Sequence, residues 1–311
     1  MMNDLMHVLV LMGGPDAERA VSIQSGLAIA EALSAHSNLK VTQQVIDLVN
    51  FEELSKMPGD VIFPALHGPW GEGGGLQDLL EELGRPYVGS GPQAARLAMD
   101  KLASKKTAAA AGFQTPAAVS IGTDEQVNVD VPLVIKPVSE GSSIDVLICH
   151  DTDTVRDAVL SVQNKNRPYM AESYVQGREI TVGIVNGRVL PLIEIIPVAN
   201  TYDYDAKYVR DDTNYVIDPD LPIEVMRECR RCAMEVFNRL GCRDLARVDF
   251  MVDQKCGWFL EINTMPGFTD HSLVPKAAAA AGSTMSDLCK ELVEAAWTRG
   301  QQISSKQGQR A

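Results

Sequence analysis

The stretch LARVDFMVDQKCGWFLEIN, residues 245–263, alternates apolar and polar side chains on either side of a short turn. Two runs of period two joined by a Gly-containing turn read as an antiparallel hairpin. With the turn centred on Lys255, Asp249 lies opposite Glu261 and Arg247 opposite Asn263. Alternation then puts Val248, Phe250 and Val252 on one face, matched by Trp258, Leu260 and Ile262, and leaves the four polar residues on the other. Directly opposed Cβ atoms sit about 4.5–5.5 Å apart, and like charges there destabilise a sheet. A solvated strand face is the plain reading of alternation. Two opposed carboxylates beside an amide favour a second one, a magnesium site in which phosphate oxygens complete a hard-oxygen shell.

Around this hairpin the chain reads as α/β. The first ~90 residues alternate strand and helix signals: HVLVLM, a helix with Ile23, Leu27, Ala30 and Leu33 as its stripe, VTQQVIDL, DVIFPALHG, LQDLLEELG and PYVGSG. A helix-rich stretch near ARLAMDKLASKKTAAAAG opens a second region with strands PLVIKP and SIDVLICH. From about residue 178 the chain is strand-rich, then carries a loop, a helix, the hairpin and a last helix. The expected divisions are residues 1–92, 93–177 and 178–311, with a polar tail from Gly300 expected to lack structure.

Length and composition fit this reading. The 311 residues are 45% hydrophobic, enough for a sizeable core. The net charge of −13 argues against a nucleic-acid binder, since phosphate neutralisation needs a basic face. No apolar run approaches the roughly 18 residues of a membrane span, and the apolar start lacks the basic flank of a signal peptide. The six scattered cysteines fit a reducing, cytoplasmic compartment. Cys229 and Cys232 form a lone C-x-x-C, but they share helical spacing with Ala233, Val236, Phe237 and Leu240, which favours packing over metal or redox work.

Other stretches carry chemistry. VGSGPQA places Gly89, Gly91 and Ala94 in dinucleotide-binding spacing, yet no acid follows where a ribose would need one. VIKPVSEGSS ends an apolar strand on Lys136, which is costly to bury unless an anion meets it. The Gly141, Ser142 and Ser143 loop that follows has the small side chains and free N–H groups of a phosphate cover; an ordinary turn beside a snorkelling lysine fits equally. AESYVQGREITVGI sets Glu172 and Glu179 around a linker, Ser173, Tyr174 and Val175, that could read an adenine edge.

These motifs together resemble the D-alanine–D-alanine ligases of the ATP-grasp superfamily. The resemblance runs from about residue 8 to residue 290, through GGPDAERAVSIQSG, ALHGPWGEGG, GSGPQAARLAMDK, VIKPVSEGSS, YDYDAKYVRDDTNY, ARVDF and EINTMPGFTDHSLVP. It implies a three-domain ATP-grasp architecture with an N-terminal parallel α/β domain, and a cytoplasmic homodimer. The implied activity joins two D-alanine molecules at the expense of ATP, with two magnesium ions, or manganese in their place. By resemblance, Lys101, Lys136 and Ser143 contact ATP phosphates, while Glu172, Ser173, Tyr174, Val175 and Glu179 frame adenine and ribose. Asp249, Glu261 and Asn263 hold metal. Glu18, Ser142 and Tyr208 position the first D-alanine and the loop over it, with His67 beside that substrate. Lys207 meets the transferring phosphate, Arg247 and the Gly267 N–H meet the oxyanion, and Ser272 with Leu273 meets the second carboxylate.

Two departures stand out. Gly74 replaces a usual Asp in a structural turn, and Thr201 replaces an aromatic near the nucleotide. The alternatives are another ATP-grasp carboxylate–amine ligase and a non-catalytic nucleotide-binding regulator. Phosphate release from ATP across a panel of D- and L-amino acids separates the first, and the presence of the metal ligands and Lys207 disfavours the second.

Overall fold

The computed structural model describes residues 5–122, 127–142, 144–163, 165–196 and 213–308, which build three sheets. The first is parallel, with β1 (Met6–Gly13) between β2 (Leu39–Ile46) and β3 (Val61–Pro64). The unbroken apolar run of β1 fits a strand covered on both faces. Leu9, Leu11 and Ile62 pack towards α2 (Phe51–Ser55) and α4 (Gly75–Leu83), which follows the short α3 (Gly68–Gly71). Val8, Val10, Met12 and Phe63 pack towards α1 (Arg19–Ser34).

The buried face of α1 differs from the expected stripe. Leu27 is exposed and Ile23 half-buried, while Ser22, Ser25, Gly26, Ile29, Ala30 and Leu33 face inward. Close approach to the sheet is the reason: a Cβ on Gly26 would sit 2.6 Å from that of Met12. Small residues, not the largest apolar ones, define this contact. Gly74 precedes α4 at φ +107°, a conformation that glycine enters without the Cβ clash.

The second sheet is antiparallel, in order β4-β7-β5-β6, from β4 (Ala118–Ile121), β5 (Leu133–Pro137), β6 (Leu147–Cys149) and β7 (Tyr169–Ser173). Helix α7 (Thr152–Gln163) covers one face. The expected strand SIDVLICH is reduced to β6, because Asp145 turns the chain at φ +55°.

The third sheet, order β10-β9-β8-β11-β12, contains β8 (Arg178–Val185), β9 (Arg188–Ile196), β10 (Asn214–Ile217), β11 (Leu245–Val252) and β12 (Gly257–Asn263). One face shares a core with α5 (Pro92–Met99), α6 (Lys101–Ala110) and α8 (Ile223–Leu240). Cys229 and Cys232 are buried on α8, and burial pushes the Cys229 thiol up to about 12, so both act as packing groups. The other face meets α9 (Leu273–Ala280) and α10 (Met285–Gly308), which also pack on the first sheet. The polar tail from Gly300 therefore continues a helix to Gly308, contrary to expectation. Among the described residues no helix is long and apolar enough to cross a membrane.

The hairpin has the expected register at its functional end, with Arg247 opposite Asn263 and Asp249 opposite Glu261. Nearer the turn it does not. Phe250 pairs with Phe259 and Val252 with Gly257, leaving Leu260 as the extra residue of a β-bulge. Phe259, not Trp258 or Leu260, is thus the residue packed against Phe250, their rings edge to face at 6.1 Å. Leu260 turns to the same side as Met251, towards the cleft.

Candidate active site

A cleft of about 740 Å³ lies between the second and third sheets. Its lining joins residues that are far apart in sequence: Lys101, Lys136, Gly141, Glu172, Ser173, Tyr174, Val175, Glu179, Asp249 and Glu261. Apolar surface comes from Val134, Ile144, Val146, Ile148, Met251 and Leu260.

Lys136 closes β5 and is buried, which is tolerable because Glu172 on the neighbouring β7 meets its ammonium at 2.6 Å. Lys105 on α6 reaches the other oxygen of Glu172 at 2.8 Å. That second contact lacks hydrogen-bond alignment and leaves Glu172 Oε2 short of a donor. Lys105 also donates to Thr115 Oγ1 at 3.1 Å and to the Phe259 carbonyl at 3.3 Å, linking β7 to the bulged strand β12. Burial lowers Lys105 to about 8 against the pull of Glu172. Lys136 is also depressed by burial, but Glu172 and Glu261 outweigh it and the net shift is upward. Burial raises the Glu172 carboxyl, and the two lysines more than reverse this, leaving it lowered.

The hairpin forms the opposite wall. Lys101 lies one turn before Lys105 on α6, and its Nζ meets Glu261 at 3.1 Å and the Glu140 carbonyl at 2.5 Å. Arg247 holds Asp249 through Nη2 at 2.8 Å, and Thr181 donates to the same carboxylate at 2.7 Å. Asn263 Oδ1 accepts the Met265 N–H at 3.0 Å. Among the described residues no three His, Cys, Asp or Glu side chains cluster as a metal site. A cation held here would therefore need the Asn263 amide beside the two carboxylates. All three offer hard oxygen, the donor type that magnesium prefers.

A second, deeper group adjoins the cleft. Glu18, at the start of α1, accepts a short hydrogen bond from Ser142, which sits at φ +54° in the loop after β5. His67 is buried behind them, its Nδ1 3.1 Å from the Met265 carbonyl and its Nε2 3.5 Å from Ser25 Oγ. Burial holds its imidazole below the usual range. Glu72 accepts the Gly68 and Met265 N–H groups at 3.2 and 3.3 Å. Burial, with the Glu18 charge second, raises its carboxyl to about 8. The loop after β12 is fixed from both sides. Ser272 Oγ accepts the Thr269 N–H at 2.8 Å, Phe268 packs edge to face on Phe63 at 5.5 Å, and a Cβ on Gly267 would approach Ser272 Oγ to 2.8 Å.

The expected residues thus fall into two adjoining groups. Leu273 is buried in the core at the start of α9. Ser143, Lys207 and Tyr208, like Thr201, lie outside the described residues. Sequence reasoning missed Ser25, Glu72, Lys105, Thr181 and Glu194. Glu72 lies inside a quoted motif, whereas Lys105 repeats Lys101 at i+4 and so shares its helix face. Glu194, on β9, lines the cleft in a two-pronged pair with Arg178, both contacts at 2.6 Å.

Comparison with known proteins gives a consistent result. Residues 39–90 match the family model D-ala D-ala ligase N-terminus, and residues 113–294 match D-ala D-ala ligase C-terminus. The D-alanine–D-alanine ligase of Syntrophotalea carbinolica is 38% identical over 295 residues, 94% of this chain and 96% of that protein. Its counterpart in Moorella thermoacetica is 39% identical over 310 residues, covering 94% and 99%. Among solved structures, the D-alanine–D-alanine ligase of Bacillus anthracis complexed with ATP superposes with a TM-score of 0.81 at 32% identity, covering 96% of this chain and 99% of that one. The Coxiella burnetii ligase gives 0.82 at 27% identity, covering 97% of both.

Proposed function

The chain belongs to the D-alanine–D-alanine ligase family, and from that premise we propose how its residues carry out the ATP-dependent joining of two D-alanine molecules for peptidoglycan precursors. One observation carries the reading: the Asp249–Glu261 pair, with Lys101 against Glu261, faces Lys136 and Glu172 across a single cleft, with the Glu18–Ser142 group at its end.

A carboxylate is a poor electrophile towards an amine. The first D-alanine carboxylate oxygen attacks the γ-phosphorus of ATP, the bond to the β-phosphate oxygen breaks, and ADP leaves. The second D-alanine's free amine attacks the acyl phosphate carbonyl, and the tetrahedral intermediate expels phosphate as the nitrogen gives up its extra proton to solvent. Phosphoryl transfer of this kind depends on positioning and charge neutralisation. Lys101 and Lys136 supply the positive charge, with Lys207 on the transferring group and Ser143 in the cover loop. Glu172 and Glu179, with the Ser173, Tyr174 and Val175 linker, hold adenine and ribose against Leu260 and Met251. Asp249, Glu261 and Asn263 would hold magnesium, or manganese, which neutralises phosphate charge and orients the oxygens.

Glu18, Ser142 and Tyr208 hold the first D-alanine and the loop over it, and His67 borders that site. Arg247 and the Gly267 N–H face the developing oxyanion, where preorganised donors act most strongly. Ser272 and Leu273, at the start of α9, receive the second carboxylate, where a helix N-terminus favours an anion. The chain divides into three domains, residues 1–92, 93–177 and 178–311, each holding one sheet, with α5 and α6 of the middle domain packed on the third sheet. The enzyme works as a homodimer in the cytoplasm, in keeping with six unpaired thiols.

The test is phosphate release from ATP across a panel of D- and L-amino acids. Release that depends on D-alanine supports the reading. Release that ignores D-alanine in favour of another acceptor sinks it.

A further inference from the structure

Ser25 and His67 form a hydrogen-bonded circuit around the glycine of the loop after β12. The Met265 carbonyl can only accept, so His67 Nδ1 carries the proton that meets it at 3.1 Å. The neutral ring, favoured by burial, then presents Nε2 as an acceptor, and Ser25 Oγ–H faces it at 3.5 Å. The Ser25 oxygen in turn accepts the Phe268 N–H at 3.0 Å. The circuit leaves the loop at residue 265 and returns at residue 268, enclosing Pro266 and Gly267. The Met265 carbonyl and the Phe268 N–H fix the sense of the circuit at its two ends, the one accepting from His67 and the other donating to Ser25.

We propose that Ser25 is a positioning residue for the amide-forming step. It anchors the Gly267–Phe268 peptide at one end while His67 holds the Met265 carbonyl at the other, which fixes the Pro266–Gly267 peptide between them and so the direction of the Gly267 N–H and the seat of Ser272. Ser25 is fully buried on the sheet-facing side of α1, and among the described residues its hydroxyl meets this loop and His67. A Cβ on Gly267 would lie 3.7 Å from Ser25 Oγ and 2.8 Å from Ser272 Oγ, which places Gly267 between the two hydroxyls. The inference rests on the roles given above to Gly267 and Ser272.

Ser22 supplies the control. It lies one turn earlier on α1, is equally buried, and bonds the Gly13 N–H at 2.8 Å and the Ala65 carbonyl at 2.6 Å, away from the loop. The experiment measures kcat, the KM for ATP, the two KM values for D-alanine and the Tm of wild type, Ser25→Ala and Ser22→Ala. Misplacing a reacting group by an ångström costs up to about 100-fold, so Ser25→Ala is expected to lower kcat roughly 10- to 100-fold. It should leave the ATP KM within about twofold, because the circuit does not reach the nucleotide cleft. Ser22→Ala is expected to lower Tm at least as much while keeping kcat within about threefold. A Ser25→Ala kcat within that same margin of wild type, or an equal loss in Ser22→Ala, overturns the proposal.

Should Ser25→Ala not accumulate, Ser25→Thr and Ser25→Val share a shape and differ in the hydroxyl. The threonine variant should be the faster by about tenfold or more, and equal rates overturn the proposal. A wild-type enzyme without D-alanine-dependent phosphate release overturns this inference and the functional reading together. An active wild type with a normal Ser25→Ala overturns this inference alone.

Discussion

Glu172→Gln tests the electrostatic core of the cleft. Glu172 is 3% exposed, and its two oxygens face Lys136 at 2.6 Å and Lys105 at 2.8 Å. Glutamine keeps the shape but removes the charge, which strands two buried ammonium groups near each other. Breaking a buried ion pair by removing one partner costs about 3–5 kcal/mol, because the remaining charge is left uncompensated. At about 2–3 °C per kcal/mol for a large domain, the expected fall in Tm is roughly 6–15 °C. Lys105→Met should cost less, since Glu172 keeps Lys136 and the displaced cation is one that burial already disfavours. The double variant removes one of the stranded cations, so its loss should fall short of the sum of the single losses by at least ~1 kcal/mol. Thermal and urea unfolding of the four proteins, without ligand, complete the cycle. A Glu172→Gln variant within about 0.5 kcal/mol of wild type, or strictly additive losses, would mean that Glu172 does not hold the two buried ammonium groups together.

Three further expectations concern the deeper group and the hairpin. Glu72 titrates near 8 in the fold against 4.5 in the unfolded chain. As pH rises from 4.5 towards 8, the unfolded state therefore binds fewer protons than the folded one, and stability falls by up to about 4–5 kcal/mol. Glu72→Gln should flatten that slope in urea midpoints taken from pH 5 to 8; an unchanged slope contradicts the raised carboxyl. Glu261→Ala removes a proposed magnesium ligand and should cut kcat/KM by more than about 100-fold, and near-normal activity at ordinary magnesium would refute the hairpin site. Gly267→Ala forces a Cβ to within 2.8 Å of Ser272 Oγ and should lower kcat about 10- to 100-fold with little change in the ATP KM. An equal loss in both parameters would speak against an oxyanion role.

The metal-site hairpin was legible because period-two alternation and a short turn fix which residues oppose each other. Counting about Lys255 pairs Asp249 with Glu261, and the structure reaches the same pair through the bulge: the turn joins Val252 to Gly257, and the extra Leu260 restores the counted register beyond it. The bulge at Leu260 was not legible, since one extra residue leaves the alternation at the far end intact and is decided by packing of Phe259 on Phe250. The inner face of α1 was misread for a related reason. Hydrophobic periodicity seeks large apolar side chains, whereas close helix-to-sheet contact here selects Ser22, Ser25 and Gly26. Lys105 and Glu72 went unassigned because charged residues are ordinarily solvated. Their burial depends on partners 67 residues away or more in one case and on the loop after β12 in the other.

Every role assigned to the cleft depends on activation of a D-alanine carboxylate as an acyl phosphate before the second amine attacks. Ligation with ATP, magnesium and D-alanine labelled with 18O in both carboxyl oxygens tests it most directly, with mass analysis of dipeptide and phosphate. The attacking carboxylate oxygen becomes the bridge to phosphorus and leaves with it. One 18O is therefore expected in each phosphate released, with one phosphate per D-alanyl-D-alanine and none of the label in ADP. Dipeptide formed with unlabelled phosphate, or labelled ADP, would contradict it.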